Sequence, residues 1–467
     1  MFQGHAKKHG APWGHGWRSS DTFIVSTMSL ALFTDELLFA FMLPLLPTVL
    51  EHRIGLDPSL TQKYTSIFLI EGAFVSVVSS PFIGSIADAT SSKKALLLTL
   101  LVLALISTIC LSLTTQLIWL FVGRFFQCIT SNALWVVGMA TMAENLGTEH
   151  MGKIAGLTST LTSAGTTAGP VLGGLLFELG GYWCAWAGVA VFLLVDIFMR
   201  LIMIEKPVKP GRVTEDRERE PLLQDAAPAV DGEQSDRPVS IEVRGWGFHV
   251  CVFGETRFSA GIFSDYVYAL LIGSFESTLA VHVRAAFGWR ALHVGLLLAV
   301  IQSPGMILAG PVGWMKDRIG SRAPTAAGFF ALVPFIVLLG VPGDSSFPWA
   351  EAWGKYIYVG SMATIGFLFS LLGGTGSMAA TETIDAVEAR EPGKFGPNGG
   401  YSRAIAVTSM TWMAGLMTGP LLAEFVMGHF GYFELQLCLG VISLIAGFVA
   451  LFFLGSIQSK STEQQGV

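Results

Sequence analysis

Three carboxylates and one guanidinium fall inside stretches of this chain where a charge is out of place. Asp35 lies near the middle of an apolar run that begins at Thr22, and Glu36 follows it directly. Glu276 and Arg124 each sit deep in another apolar run. If these runs cross a bilayer, an ionisable group at mid-depth costs at least ~2.5–3.5 kcal/mol on insertion scales. Such a group must find a counter-charge or, if it is an acid, take up a proton. The chemistry that these residue types offer is therefore reversible protonation and the binding of cations. Asp35 is the first candidate. Glu36 projects about 100° away from it on a helix, so the two cannot both face one cavity squarely. The plainer reading of Asp35 is a carboxylate hydrogen-bonded to a neighbouring helix. Arg124 needs an acid or carbonyls nearby, and Asp35 or Glu36 is the expected counter-ion. Protonating that acid would release Arg124, which would tie a proton to a change of shape. Glu71 and Asp196 are weaker candidates, the latter expected to pair with Arg200 at i+4.

The elements that must position these groups are legible in the composition. The chain has 467 residues, 52% of them hydrophobic and only 13% charged, with a mean hydropathy of +0.59. Soluble domains carry about 25% charged residues. The fold class is an all-α polytopic membrane protein, with the lipid bilayer as its first partner. A net charge of −6 with no basic stripe excludes nucleic acid. The five cysteines are scattered, so neither a disulfide framework nor a zinc site is expected. His5, His9 and His15 in the N-terminal tail read as a polar tail before a metal site.

At roughly 20 apolar residues per crossing, twelve transmembrane helices are expected. They fall near 22–48, 65–87, 95–114, 116–141, 154–178, 181–204, 264–288, 292–315, 323–342, 354–382, 402–427 and 431–456, the ninth interrupted by Pro334. The implied domains are a tail at 1–21, a six-helix half at 22–204, a linker at 205–262, a second half at 263–456 and a tail at 457–467. The linker is charge-rich and carries Pro207, Pro210, Pro221, Pro228 and Pro238, the composition of a segment without a packed core. Lys and Arg concentrate in the tails, the linker and alternate loops, which places both termini in the cytosol. The expected site is the plasma membrane, with a vacuolar or vesicular membrane as the alternative. Within the linker, Glu218 stands four residues before Leu222 and Leu223, resembling an acidic dileucine signal read by a sorting adaptor.

The two halves repeat each other. Gly84-x-x-x-Asp88 is followed by Lys93 and Lys94; Gly313-x-x-x-Asp317 is followed by Arg318 and Arg322. These charges, at the ends of the second and eighth spans, read as gate residues that pair in one state and part in another. In the fifth span Gly165, Gly169, Pro170, Leu172, Gly181 and Tyr182 recur in the eleventh as Gly415, Gly419, Pro420, Leu422, Gly431 and Tyr432, six identities in 18 positions at unchanged spacing. Gly173 and Gly174 extend the stripe in the first copy, where the second has Ala423 and Glu424. Two pseudo-symmetric six-helix bundles follow. Glycines at i, i+4 and i+8 let a second helix approach to backbone contact. An offset of 240 residues aligns Glu276 with Glu36, which makes the two acids positional counterparts. In duplicated carriers of this kind the site lies between the halves near mid-membrane.

These residues resemble the major facilitator superfamily. GSIADATSSKK after the second span is similar to its G-x-x-x-D-R-x-G-R-R/K signature, with Ala89 and Ser91 in place of Arg and Gly, and GWMKDRIGSR is the fuller match. Arg124 and Gln127 match R-x-x-Q-G, with Cys128 for glycine. GTTAGPVLGG resembles the antiporter motif of the drug:proton antiporter branch. Asp35–Pro47 is similar to the opening span of the vesicular amine transporter-like members, and Phe275–Leu279 to their L-E-P-T-L, with Ser277 for proline. The linker and the divergent spans resemble fungal efflux carriers. The resemblance implies a secondary active transporter, a proton antiporter that exports a cationic or amphipathic small organic molecule. It implies a monomer without cofactors, with the proton gradient as driving force.

Three other functions compete. A proton symporter or passive facilitator that imports solute differs in its response to the sign of an imposed pH gradient. A seven-span receptor would lack the duplicated motifs. A membrane-embedded enzyme would need a His/Asp or Ser/His constellation within the spans, and the histidines here stand in tails or near span ends. Changing Leu222 and Leu223 to Ala in a fluorescently tagged chain is expected to alter its resident membrane; an unchanged distribution denies the linker a sorting role.

Overall fold

The computed structural model describes residues 15–89, 93–146, 151–204, 246–344, 346–348, 350–391, 394–395 and 401–455. The segment that holds Glu218, Leu222 and Leu223 lies outside them, as do the side chains of Asp88, Lys93 and Asp317. All regular structure among the described residues is helical. The first half comprises α1 (Asp21–Phe41), α2 (Thr61–Ala89), α3 (Lys93–Leu113) and α4 (Leu117–Leu146), then the run Met151–Ile202. Gly181 divides that run with φ 72° and ψ −165°, so it is read as α5 before the glycine and α6 after it. The second half comprises α7 (Thr256–Phe287), α8 (Ala291–Ile319) and α9 (Arg322–Gly340). There follow α10 in two arms (Ala350–Ser370 and Thr375–Arg390), α11 (Tyr401–His429) and α12 (Tyr432–Phe453). Among the described residues, nine stretches are long and apolar enough to cross a membrane by length and composition; one of them, Thr160–Ile202, takes in both α5 and α6.

Local chemistry sets the ends. The Ser20 side chain accepts the Phe23 amide and opens α1. Beyond Phe41 the chain turns around Pro44, so the first helix stops short of residue 48 and a five-residue π-helix, Val49–Arg53, carries it onward. The repeated Gly-Tyr pairs mark equivalent joints. Gly181 and Gly431 both have positive φ, 72° and 123°, a region open to glycine and strained for other residues. Tyr182 then donates its hydroxyl to the Ser112 carbonyl at 2.8 Å. A short helix, Trp246–Gly254, precedes α7 and packs Phe248 and Val252 against Phe258, Ile384 and Phe395.

The glycine stripe is the packing device that the spacing predicts. A Cβ at Gly165, Gly169 or Gly173 would meet the carbonyl oxygens of Phe33, Leu37 and Phe41 at 2.5, 2.6 and 2.7 Å, closer than real Cβ contacts come. Backbone of α5 thus lies on backbone of α1. Gly415 and Gly419 seat α11 on α7 in the same way, against Tyr266 and Leu270. We call the end that carries Asp21 and Ile202 the tail end, and the opposite one the far end. The halves meet toward the far end. A Cβ at Gly174 would collide with the Ala291 carbonyl at 2.6 Å, and Gly295 abuts the Pro170 carbonyl. Leu43 and Leu69 of the first half are buried in the core of the second. Glu51 forms an ion pair across the halves with Arg284, and its other oxygen accepts the Thr61 hydroxyl at 2.9 Å. Gly305, Gly310 and Gly313, toward the tail end of α8, have nothing within 4 Å of where a Cβ would stand.

Adding bulk where backbone meets backbone is predicted to cost at least ~1–3 kcal/mol of overpacking. Gly169→Leu should lower the melting temperature in detergent or aggregate the protein. Gly310→Leu should leave the melting profile unchanged. Equal tolerance of the two would refute the stripe as a packing constraint.

Candidate functional site

Asp35 and Arg124 of the first half line a cavity of about 40 Å³ among α1, α2, α3 and α4. That volume holds a few water molecules and no organic substrate. Arg124 from α4 is 1% exposed. Its guanidinium lies between two aromatic faces, 4.7 Å from the Phe39 centroid and 4.5 Å from that of Phe68. One nitrogen donates to the Gln127 side-chain oxygen at 2.8 Å. Two desolvated ring faces, on the order of 2 kcal/mol each, and a charge-assisted hydrogen bond of about 1.5–3 kcal/mol offset the insertion cost of the charge. Gly72 makes room: a Cβ there would stand 3.3 Å from the second terminal nitrogen. That nitrogen and Nε have no hydrogen-bond partner. One carboxylate oxygen of neighbouring Glu71 is likewise buried without one.

Asp35 lines the same cavity, and its Oδ2 accepts the Ser131 hydroxyl at 2.7 Å. Asp35 and Arg124 therefore share a pocket and feel each other's charge, and the guanidinium's hydrogen bond goes to Gln127. Two nitrogens of Arg124 thus have no oxygen or nitrogen partner within the pocket that holds the acid, which the Cys128 thiol also lines. Glu36 points elsewhere, as the 100° step requires: its Cβ lies against Gly165 on the α5 side. It is within electrostatic range of Asp35 and of Glu276 in the other half. Glu276 is 9% exposed and receives a long hydrogen bond, 3.4 Å, from Gln302 of α8.

The packing corrects the alignment of the two halves. Gly165 faces Phe33 as Gly415 faces Tyr266, and Gly169 faces Leu37 as Gly419 faces Leu270, a constant offset of 233 residues between α1 and α7. The counterpart of Glu36 is Ala269, whose Cβ abuts Gly415 as that of Glu36 abuts Gly165. Glu276 corresponds to Leu43 and lies about two turns nearer the far end. The two acids approach each other across the halves as unrelated positions.

Of the gate motifs, Gly84, Asp88 and Lys93 lie in described helix with side chains outside the described residues, and the same holds for the side chain of Asp317. Lys94 donates to the carbonyls of Leu201, at 3.1 Å, and Met203. In the equivalent place Arg322 Nε donates to the Leu451 carbonyl at 2.6 Å. Each cation thus holds the C-terminal end of the last helix of its half. Arg318 stacks on Trp314, 4.1 Å from the ring centroid. Asp196 and Arg200 are both fully buried near the tail end, and one guanidinium nitrogen of Arg200 lies 2.9 Å from the Met28 sulfur. Among the described residues no group of three or more His, Cys, Asp and Glu could hold a metal ion.

Sequence reasoning missed the most buried charges of the second half. Lys316, 1% exposed, donates to the Gly373 carbonyl at 2.8 Å and to Thr375 Oγ1 at 2.9 Å. Asp265, 8% exposed, accepts the Gly376 amide at 3.0 Å. Lys316 precedes Asp317 in a motif whose other charges drew attention, and no signal in the local sequence marks it as a buried residue.

Comparison with known proteins agrees with this architecture. The family model described as Major Facilitator Superfamily matches residues 28–391. The chain is 29% identical to an MFS-type transporter, ppzB, of Metarhizium rileyi, covering 96% of this chain and 97% of that one. It is 22% identical to the class B tetracycline resistance protein of Escherichia coli over 85% of this chain and 86% of the relative. A similar fold occurs in the crystal structure of a D-xylose-proton symporter, with a TM-score of 0.65 at 12% identity, covering 93% and 98% of the two chains. The matched span, the two glycine-seated halves and the relatives agree: this chain belongs to the major facilitator superfamily and is a multi-pass membrane transporter.

Proposed function

We propose that this transporter is a proton-coupled antiporter that exports an amphipathic or cationic small organic molecule. The observation that carries the reading is the pocket in which Asp35, held by Ser131, faces an Arg124 with two unspent donors. Asp35 is the proton-binding residue. When it is ionised, the guanidinium and the Ser131 hydroxyl stabilise the carboxylate. When it takes a proton, the acid becomes a donor itself, and the attraction of Arg124 for it falls away. α1 carries Asp35 and is seated backbone-on-backbone on α5, whose Pro170–Gly174 stretch contacts α8 of the other half. A shift of α1 therefore reaches the contact between halves without a flexible intermediary.

The substrate space is the region between the halves, bounded by Glu36 and Glu276. Two carboxylates from opposite halves, within electrostatic range of each other, favour an organic cation over a sugar or an inorganic anion. The tetracycline resistance proteins and the multi-drug efflux pump PmrA of Streptococcus pneumoniae, 23% identical over 84% of this chain, support an export role. No cofactor is required, since the proton gradient supplies the free energy. The charge distribution of the loops supports a tail end in the cytosol, in the plasma membrane or, if the linker signal acts, an internal one.

Two measurements test this. In proteoliposomes with an acidic lumen, the wild-type chain should accumulate the lipophilic cation ethidium. Asp35→Asn should abolish that uptake and leave the melting profile intact; undiminished uptake removes Asp35 from the mechanism, and accumulation driven only by an alkaline lumen establishes symport instead. Arg124→Lys keeps the charge and loses the planar stack, so transport should fall roughly thirtyfold, the equivalent of one lost ring contact of about 2 kcal/mol.

A further inference from the structure

The tenth helix is broken, and its counterpart is whole. α4 runs unbroken over 30 residues. α10 stops at Ser370 and starts again at Thr375, with Gly374 at φ 74° in between. The break leaves carbonyls without partners at the end of the first arm and amides without partners at the start of the second. Gly374 has no side chain to cap the second arm. Both needs are met from other helices by charged, buried side chains. Lys316 of α8 places its ammonium on the Gly373 carbonyl and on Thr375 Oγ1. Asp265 of α7 places a carboxylate oxygen on the Gly376 amide. Thr375 donates its own hydroxyl hydrogen to the Leu372 carbonyl at 2.6 Å, so Thr325, 3.0 Å away, is a donor to it. A cation at a helix C-terminus and an anion at a helix N-terminus are each the favourable sign.

The break is also where α10 changes company. Its first arm packs on α8 and α9: Gly366 abuts the backbone of Val300 and Ile301, and Gly328 of α9 lies against Leu371 and Leu372. Its second arm packs on α7 and α11: Gly261 abuts Ala379, Arg257 pairs with Glu382, and Arg390 pairs with Glu255 at 2.8 Å. The first arm also meets α7, through Phe369 on Tyr268, 5.0 Å between ring centroids, and Tyr358 on His282, whereas the second arm leaves α8 and α9, so the change of neighbours falls at residues 371–374. Asp265 holds the second arm from α7, and Lys316 holds the break from α8.

We propose that Lys316 and Asp265 are positioning residues that clamp the two ends of the interrupted tenth helix, making Gly373–Gly374 the hinge on which its second arm swings during transport. This rests on the transport reading above. The second arm has 16 residues, about 24 Å at 1.5 Å per residue, so a rotation of ~10° moves its end by ~4 Å.

The test is a distance from the second arm to α8. In the full chain, with the five native cysteines replaced, spin labels are attached at Ile319→Cys, at the tail end of α8, and at Ala389→Cys, both exposed positions. Pulsed electron resonance is then recorded in nanodiscs at pH 5.5 and 7.5, with and without ethidium. The wild-type distance should shift by ~4 Å or more between conditions. Lys316→Met should abolish the shift or broaden the distribution at both pH values, and Lys316→Arg should retain part of it. Where Lys316→Met does not fold, Thr375→Val removes one acceptor, leaves both charges, and should broaden the distribution to a smaller extent. A distance that is the same in all conditions in the wild type, or a shift that survives in folded Lys316→Met and Thr375→Val, overturns the clamp. An arm that moves in a chain showing no gradient-driven ethidium uptake in either direction refutes the transport reading and leaves the hinge standing.

Discussion

Backbone lying on backbone is the constraint on which this architecture depends. Lipid is as apolar as leucine, so nothing drives two membrane helices together except what they gain at short range. Removing Cβ atoms at Gly165, Gly169 and Gly173 brings α5 onto α1, and Gly415 and Gly419 do the same for α11 and α7. The consequence reaches beyond stability. α5 is held on one side by its own half and presses its Pro170–Gly174 stretch on α8 with the other. One helix is therefore both a fixed member of a rigid bundle and a contact between bundles.

Against this symmetric frame the charges are arranged asymmetrically. Arg124 is made tolerable by two rings and a glutamine, with two donors left over beside a cavity of about 40 Å³. Lys316 is satisfied by a carbonyl and a hydroxyl, and these hold the ends of a broken helix. A buried charge with spare capacity responds when a neighbour gains or loses a proton. A buried charge with two of its three donors engaged resists change, and removing its partner commonly costs ~3–5 kcal/mol. The same fold, written twice, keeps a cation with unpaired nitrogens in one half and a cation bonded to a broken helix in the other.

How much of this was legible follows the same physics. The duplicated glycines could be read because a missing side chain at a helical spacing has few other uses, and the positive φ of Gly181 and Gly431 explains why the Gly-Tyr pairs recur. Asp35 and Arg124 could be read because a charge in an apolar run needs a reason. The register of Glu276 could not. An offset of 240 aligned two glutamates, whereas the packing sets 233, because membrane helices are apolar on every side and give no periodic face to anchor an alignment. Lys316 escaped notice beside Asp317 for a related reason, since one residue is a step of about 100° and nothing in the local sequence says which of the two faces inward. The break in α10 was visible as Gly373–Gly374, yet a glycine pair in a membrane span more often marks close packing.

Among the ion pairs of the described residues, that of Glu51 and Arg284 joins the two halves, and it is partly open, with side-chain exposures of 11% and 38%. Contacts buried in the bundles are insensitive to the ions outside, but this one is not. At 0.15 M salt the Debye length is about 8 Å, and it grows to about 30 Å at 0.01 M. The attraction between Glu51 and Arg284 across the two halves thus strengthens as the solution that reaches it becomes dilute.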